Sequence, residues 1–393
     1  MSEDKKTLVL IDGNAIIHRA YHALPKTMTT RSGEQTNAVY GFTTALIRVL
    51  EDLKPEYVAA SFDLAGPTFR HEQYKEYKAT RVAADQELYD QIPRVKELLQ
   101  TMEIPIYEMQ GFEADDCLGT IVQQITNHKS QITNKYQNPK SKKANKLIPN
   151  SYPSRLGSQA EADNLEIYIV SGDKDIFQLI DGNIKVYNLR RGLSDMQIVD
   201  RATIEKDYHL QPEDFIDLKA LAGDPSDNIP GVPGIGPKTA TKLLQDFDSL
   251  TGLYNKISDS LEKAGLISKS KFLISNQISN PNDEKSRILR FAQDDIEKIA
   301  EKLKIKPRIV QLLVENKDQA FLSQHLATIH KDVPINFDLE KARFGEYDKD
   351  KLKEFFEQLG FRSLLRRFGI IDEPPVRKSS DTQSKKDDQL KLL

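Results

Sequence analysis

Residues 7–14 read TLVLIDGN: four consecutive apolar residues, Leu8 to Ile11, run straight into Asp12, Gly13 and Asn14. A short unbroken apolar run that stops at an acid and a glycine fits a strand buried on both faces in a parallel sheet. Similar runs occur at Tyr57 to Phe62, Ile104 to Tyr107, Glu166 to Val170 and Ile184 to Tyr187, giving five predicted strands. Between them, apolar residues keep helical spacing. Val39, Phe42, Leu46, Val49, Leu50 and Leu53 form one stripe, Val95, Leu98, Leu99 and Met102 behind Pro93 a second, and Leu118, Ile121, Val122 and Ile125 a third. Strands alternating with helices predict an α/β core, a parallel sheet with flanking helices. The stripes themselves are core and carry no functional reading.

Two polar stretches interrupt this order. Residues 127–163 are rich in Asn, Lys, Ser and Pro, with seven Lys/Arg against two acids, and read as a solvated, disordered insertion. Residues 268–295 read as a second insertion. From Pro212 onward the pattern is helical. Leu352, Phe355, Phe356 and Leu359 form an amphipathic helix closed by Gly360, and a short SLLRRFG helix follows. The predicted organisation is therefore a core over 1–210, a helical domain over 211–371 and a disordered tail over 372–393.

Composition narrows the function. The chain has 393 residues, with 56 Lys+Arg against 59 Asp+Glu and a net charge of −3. Any nucleic-acid binding must then come from an uneven distribution of charge. No apolar run approaches the roughly 20 residues needed to cross a bilayer, and no signal peptide follows the charged N-terminus, so a cytoplasmic protein without a membrane partner is expected. Cys117 is the only cysteine, and the seven His show no metal-ligand spacing. If a metal is bound, oxygen must ligate it.

The oxygen ligands are easy to find. The first strand ends in Asp12, the second in Asp63 (FDLAG), and EIYIVSG ends in Asp173 and Asp175. In an open parallel sheet these ends share one edge, where ligands normally bind. GFEADDCLG adds Glu113, Asp115 and Asp116 at a helix start, and LAGDPSDNIPG adds Asp224 and Asp227. Alone, EADD reads as a helix cap and DPSDN as a turn. Together, nine carboxylates on one rim would repel one another unless cations neutralised them. Oxygen-only ligation suits two Mg²⁺ or Mn²⁺ ions about 3.5–4 Å apart, an arrangement used for phosphodiester hydrolysis.

Two further segments suit nucleic acid. After Asp63, GPTFRHEQYKEYKATRVAADQ interleaves Arg70, Lys75, Lys78 and Arg81 with Phe69, Tyr74 and Tyr77. Cations beside aromatics are the ingredients of a single-strand site, although a solvated amphipathic helix explains the segment about as well on its own. GVPGIGPKTATKLLQDF then offers Gly231, Gly234 and Gly236 for a tight turn. Pro237 starts a helix bearing Lys238, Thr239 and Lys242, whose free N–H groups can receive a phosphate without reading sequence.

IDGN, FD followed by FRHEQYKEYKATR, GFEADD, SGDKD and GDPSDNIPGVPGIGPKTA occur in this order in the 5′ nuclease domain of bacterial DNA polymerase I. The chain resembles that domain, a member of the flap endonuclease superfamily, from Thr7 to about Ile371 apart from the two polar stretches. The resemblance implies a PIN-like 5′ nuclease core with an arch over 64–92 and a helix-three-turn-helix DNA-binding domain, its hairpin at 231–247. It implies removal of 5′ flaps and RNA primers by a monomer acting on DNA with a 5′ flap or 5′ end. By motif, Asp12, Asp63, Glu113 and Asp115 would serve a first metal. Asp116, Asp173, Asp175, Asp224 and Asp227 would serve a second, with Asp115 shared. Lys78 and Arg81 fall where the arch offers cations to the scissile phosphate, and the hairpin falls where K⁺ is often bound. No polymerase domain follows, so the chain reads as a stand-alone nuclease or as part of a longer enzyme. A non-catalytic DNA-binding scaffold is the alternative, but it would be expected to lack some of these carboxylates. A phosphatase with an Asp nucleophile would want D-x-D after the first strand, where Asp12-Gly13-Asn14 stands.

Overall fold

The structure is a computed structural model describing residues 5–137, 165–193, 195–263, 265 and 293–370. Strand β1 (Lys6–Asp12) lies inside a six-stranded sheet with β2 (Tyr57–Ser61), β3 (Ile106–Tyr107), β4 (Leu165–Ser171), β5 (Ile184–Arg191) and β6 (Asp195–Val199), in the order β3-β2-β1-β4-β5-β6. The first five strands are parallel, as their apolar runs predict. The side chains of β1 alternate between two cores. Leu8 and Leu10 enter one with Tyr57, Ala59, Ile167 and Ile169, while Val9 and Ile11 enter the other with Val58, Ala60 and Val170.

Register sets up the rim. Asp12 pairs with Ser61 and Ile11 with Val170, so the C-terminal ends of β1, β2 and β4 finish level. The chain leaves β1 towards β2 on one side and β4 joins it on the other, which places a topological switch point between β1 and β4.

Two strands differ from expectation. β3 is confined to Ile106–Tyr107, because Pro105 has no N–H to donate, although its carbonyl still accepts from Ala60 N at 2.9 Å. β6 was not foreseen. It is an antiparallel edge strand, DMQIV, largely outside the core and joined to β5 through a turn in which Gly192 has φ +60°.

Helices α1 (Gly13–Ala23), α2 (Asn37–Leu53), α3 (Phe69–Gln73), α4 (Gln86–Tyr89), α5 (Ile92–Thr101) and α6 (Ala114–Gln137) connect the first strands. α6 continues to Gln137 and takes in the first eleven residues of the expected insertion; the rest of that stretch, most of the second insertion and the tail from 372 lie outside the described residues. After the sheet come α7 (Arg201–Tyr208), α8 (Asp214–Ala222), α9 (Pro237–Phe247), α10 (Leu250–Lys263), α11 (Gln293–Leu303), α12 (Pro307–Glu315) and α13 (Lys317–Ala327). Leu221, Val232, Ile235, Leu243, Tyr254, Ile299 and Leu313 form the separate core of this helical lobe.

The division at 210/211 needs one correction. Beyond α13 the chain returns to the α/β body: Ile329, Phe337 and Leu339 pack into one of its cores. Helices α14 (Lys349–Gln358) and α15 (Arg362–Arg367) place Leu352, Phe355, Phe356, Leu364 and Leu365 in the other, beside α2 and α5. Residues 329–370 therefore belong to the first body by packing.

Candidate metal centre and nucleic-acid interface

The rim is built from strand ends and one helix start. Asp12 closes β1 and caps α1, its Oδ1 accepting from Ala15 N at 2.9 Å and its Oδ2 from the Ser171 hydroxyl at 2.7 Å. Asp63, just past β2, accepts from Ala114 N at 2.7 Å and from Asn14 Nδ2 at 2.9 Å, while its own N–H donates to Asn14 Oδ1. Asp173 N donates to the same Ser171 hydroxyl. Asp12, Asp63, Glu113, Asp115 and Asp173 line a cleft of about 220 Å³, with Asn14, His18, Lys78 and Arg81 among the other lining residues. Next to it, a cavity of about 760 Å³ is lined by His18, Arg19, His22, Lys174, Asp175, Lys219 and Asp224, with Asp173 common to both.

Burial and mutual repulsion act on the central acids. Burial pushes the Asp12 carboxyl up to about 7, with the charges of Asp63 and Asp173 adding to it against the hydrogen bonds from Ala15 and Ser171. Asp115 is raised well above the usual carboxylate range, first by burial and then by Asp12, Asp173, Asp175 and Asp63. Burial and then Asp173 push Asp175 up to about 7 despite Lys219. Asp63 is raised by burial, with Glu113 adding.

The outer acids are neutralised by protein cations. Lys78 Nζ donates to Glu113 at 2.7 Å, and Arg81 pairs with Asp227. Lys219, on α8, bridges Asp175 and Asp224. Burial alone would raise Glu113, but Lys78 and Arg70 hold it below its ordinary value. Burial likewise opposes Lys219 at Asp224, and Lys219 prevails.

The donor set is chemically apt for a hard divalent cation: the carboxylates of Asp12, Asp115 and Asp173 repel one another at the switch point. Their side chains do not form a closed coordination sphere. Among the described residues no three acidic, histidine or cysteine side chains stand as a finished ligand group.

Four expected site residues are placed otherwise. Asp116 is fully buried, with both oxygens bonded to Arg70 at 2.8 Å and further accepting from Glu113 N and His330 N. Arg70, 3% exposed, also donates to the Leu326 and Thr328 carbonyls. These two form an internal anchor, and neither presents its charge to an ion or a phosphate. Tyr77 is buried, its hydroxyl 3.1 Å from Asp227 and 3.2 Å from Glu113, and Tyr74 packs half-buried on the same small cluster with Leu322 and Leu326. The Tyr77 ring is therefore turned away from any base, and Tyr74 keeps only part of its surface exposed. Lys75 stays exposed.

In the hairpin, Gly231 is structural. Its φ is +60°, and a Cβ there would lie 2.1 Å from Gly223 N. Its N–H donates to Ser323 Oγ and its carbonyl accepts from Gln319. Gly234 (φ +90°), Gly236, Lys238 and Lys242 are exposed, and Thr239 is half-exposed in the first turn of α9 behind Pro237.

Sequence reasoning did not single out Asn14, Ser171, His18 or Lys219. Asn14 stands in the IDGN motif and Ser171 just ahead of GDKD, so position was their signal. Lys219 lies five residues before Asp224, on a helix whose orientation the sequence does not show.

Fold and site together define a two-part protein, an α/β body with an acidic sheet edge joined to a helical lobe. Residues 7–134 match the model of the 5′-3′ exonuclease N-terminal resolvase-like domain, and residues 210–280 match that of the 5′-3′ exonuclease C-terminal SAM fold. The chain belongs to the 5′-3′ exonuclease family. It is 34% identical over 366 residues to DNA polymerase I of Bacillus subtilis, covering 93% of this chain and 32% of that one. With DNA polymerase I of Caldicellulosiruptor bescii it shares 35% identity over 368 residues, covering 93% and 34%. The chain thus spans about a third of the length of these curated relatives. Among solved structures, the zinc-bound T5 5′-exonuclease is similar at 18% identity and a TM-score of 0.47, covering 90% of this chain and 100% of that one. The catalytic core of Rad2 in complex with DNA substrate is similar at 16% identity and a TM-score of 0.46, covering 94% of each.

Among the described residues, no helix is long and apolar enough to cross a membrane.

Proposed function

We propose that the chain is a divalent-metal-dependent 5′-3′ exonuclease and flap endonuclease, hydrolysing phosphodiesters of DNA and of RNA primers near the junction of single strand and duplex. The observation that carries this is the gathering of mutually repelling carboxylates at the switch point, with Lys78 and Arg81 lining the same cleft. Asp12, Asp63, Glu113, Asp115 and Asp173 would hold one end of the metal centre, and Asp175, Asp224 and Asp227 the other. Two Mg²⁺ or Mn²⁺ ions would supply nucleophile activation and charge stabilisation at the leaving oxygen.

The chain's own residues do the rest. Lys78 and Arg81 are placed to offset charge on the phosphate being cut. The exposed start of α9, with Lys238, Thr239 and Lys242, suits a duplex phosphate away from the cleft. The hairpin is also the proposed place for a K⁺ ion, held by backbone carbonyls. The enzyme acts as a monomer on DNA with a free 5′ end or flap, and a polymerase, linked or separate, is its natural partner.

Incubation of a 5′-flap duplex with Mg²⁺ and with EDTA, followed by sizing of the products, tests this. Cleavage near the junction in Mg²⁺ only is expected. Asp115→Ala should abolish it while keeping flap binding, and normal turnover by that variant would remove Asp115 from the chemistry.

A further inference from the structure

The strap between α3 and α4 carries Lys78 and Arg81, yet it is irregular and exposed over much of its length. Apolar contact from Tyr77 to Ile229, Leu322 and Leu326 holds its inner side. Such contact is non-directional and sets distance rather than register. Register comes from the loop that carries Asp224 and Asp227. That loop is stiff: Asp224 and Ile229 exchange both backbone hydrogen bonds, at 2.8 and 2.9 Å, and the Asp224 carboxylate accepts from the N–H and hydroxyl of Ser226.

Asn228 joins strap to loop. It is half-buried with φ +54°, a left-handed conformation that Asn and Gly tolerate better than other residues. From there its Nδ2 donates to the Glu76 carbonyl at 2.6 Å. Two residues on, Lys78 N–H donates to the Asp227 carbonyl at 2.9 Å. Arg81 Nε then reaches the Ser226 carbonyl at 3.1 Å. The strap is thus fastened to consecutive residues of one rigid loop, and Asn228 provides the fastening just ahead of Lys78.

We propose that Asn228 is a positioning residue, which seats the strap through the Glu76 carbonyl so that Lys78 and Arg81 face the phosphodiester at the carboxylate rim. The proposal rests on the reading of Lys78 as a cation for that phosphate. Without the amide, the strap keeps its apolar contact but can pivot about the Lys78 bond, and the two cations lose their fixed aim.

Asn228→Gly and Asn228→Ala test it. Glycine keeps the left-handed backbone and deletes the amide, whereas alanine loses both. Both should lower kcat on a 5′-flap duplex by about 10- to 100-fold, the scale of a misplacement of about 1 Å. KM should stay within about 2-fold, and in a background that lacks both cations, Lys78→Ala with Arg81→Ala, Asn228→Gly should add less than about 2-fold, because it acts through them. Hydrogen exchange at the Lys78 amide should quicken in Asn228→Gly while exchange in β1 is unchanged. Wild-type kcat in the glycine variant alone would make the residue a backbone requirement and overturn the proposal, as would a fully multiplicative loss on adding Asn228→Gly to the variant lacking both cations. If Lys78→Ala cuts normally, the reading of Lys78 fails instead. Faster exchange in Asn228→Gly would then still support the seat, and unchanged exchange would overturn it.

Discussion

Asp115 and Asp116 are neighbours in sequence with opposite circumstances in the fold. On an α-helix successive side chains diverge by about 100°, so two adjacent acids at the start of α6 cannot both face the rim. Asp115 faces its like charges, and Asp116 faces Arg70. The energetic consequences have opposite sign. Removing one partner of a buried ion pair costs about 3–5 kcal/mol, so Asp116→Ala should lower Tm sharply with or without Mg²⁺. Asp12→Asn should do the reverse in EDTA. Its carboxyl is raised in the folded state, so the native protein binds the proton more tightly than the unfolded chain. Stability then falls as pH rises between the unfolded value near 3.8 and the folded value of about 7. The asparagine variant escapes that loss. Thermal melts in EDTA should show it gaining on the wild type from pH 5 to pH 8, by about 1–3 kcal/mol at the upper end. A constant difference across that range would show that Asp12 does not carry the strain.

At the scale of elements, what the sequence made legible follows from burial. β1, β2 and β4 lie between two cores, so their sequences are dominated by short apolar runs, and the acids that follow them mark the rim directly. β6 is half-exposed at an edge and leaves no such trace. The strap was legible in its charges and illegible in its direction, since aromatic interleaving does not say which side of an irregular segment faces inward. Tyr74 and Tyr77 turned in, and Lys78 and Arg81 met carboxylates. α9 is simpler because its capping glycine, Pro237 and exposed lysines form one surface. If that surface grips backbone phosphate only, Lys238→Ala with Lys242→Ala should weaken duplex binding equally for unrelated sequences. Each lysine in contact should also lower the dependence of log affinity on log salt by about one unit. Binding titrations at several salt concentrations measure both, and a sequence-dependent loss would instead place these lysines in a groove.

For the whole molecule, the net charge of −3 conceals a separation. With the eight acids of the rim set aside, Asp116 being bound to Arg70, 56 basic residues face 51 acidic ones, so the rest of the chain can attract nucleic acid while the rim by itself repels it. The rim must therefore be held rigidly against its own repulsion, and the chain's return path contributes to that rigidity. Residues after α13 cross back from the helical lobe, pair Phe344 N with the Glu56 carbonyl just ahead of β2, and lay α14 and α15 on the core behind β1. The amphipathic stripe of α14 shows that it has a buried face and does not show against which body. Truncation after Asp348 would uncover the sites of Leu352, Phe355, Phe356, Leu364 and Leu365, each of which contributes about 1.5–3 kcal/mol when fully buried. That sum is comparable to the 5–15 kcal/mol stability of an ordinary domain. The truncated chain should accordingly lose the α/β body while the lobe built on α8 to α13 keeps its own core, and hydrogen exchange should report lost protection in β1, β2 and β4 with protection retained around Tyr254 and Leu313. Retained protection in β1 would mean that the sheet holds the acidic rim without the returning helices.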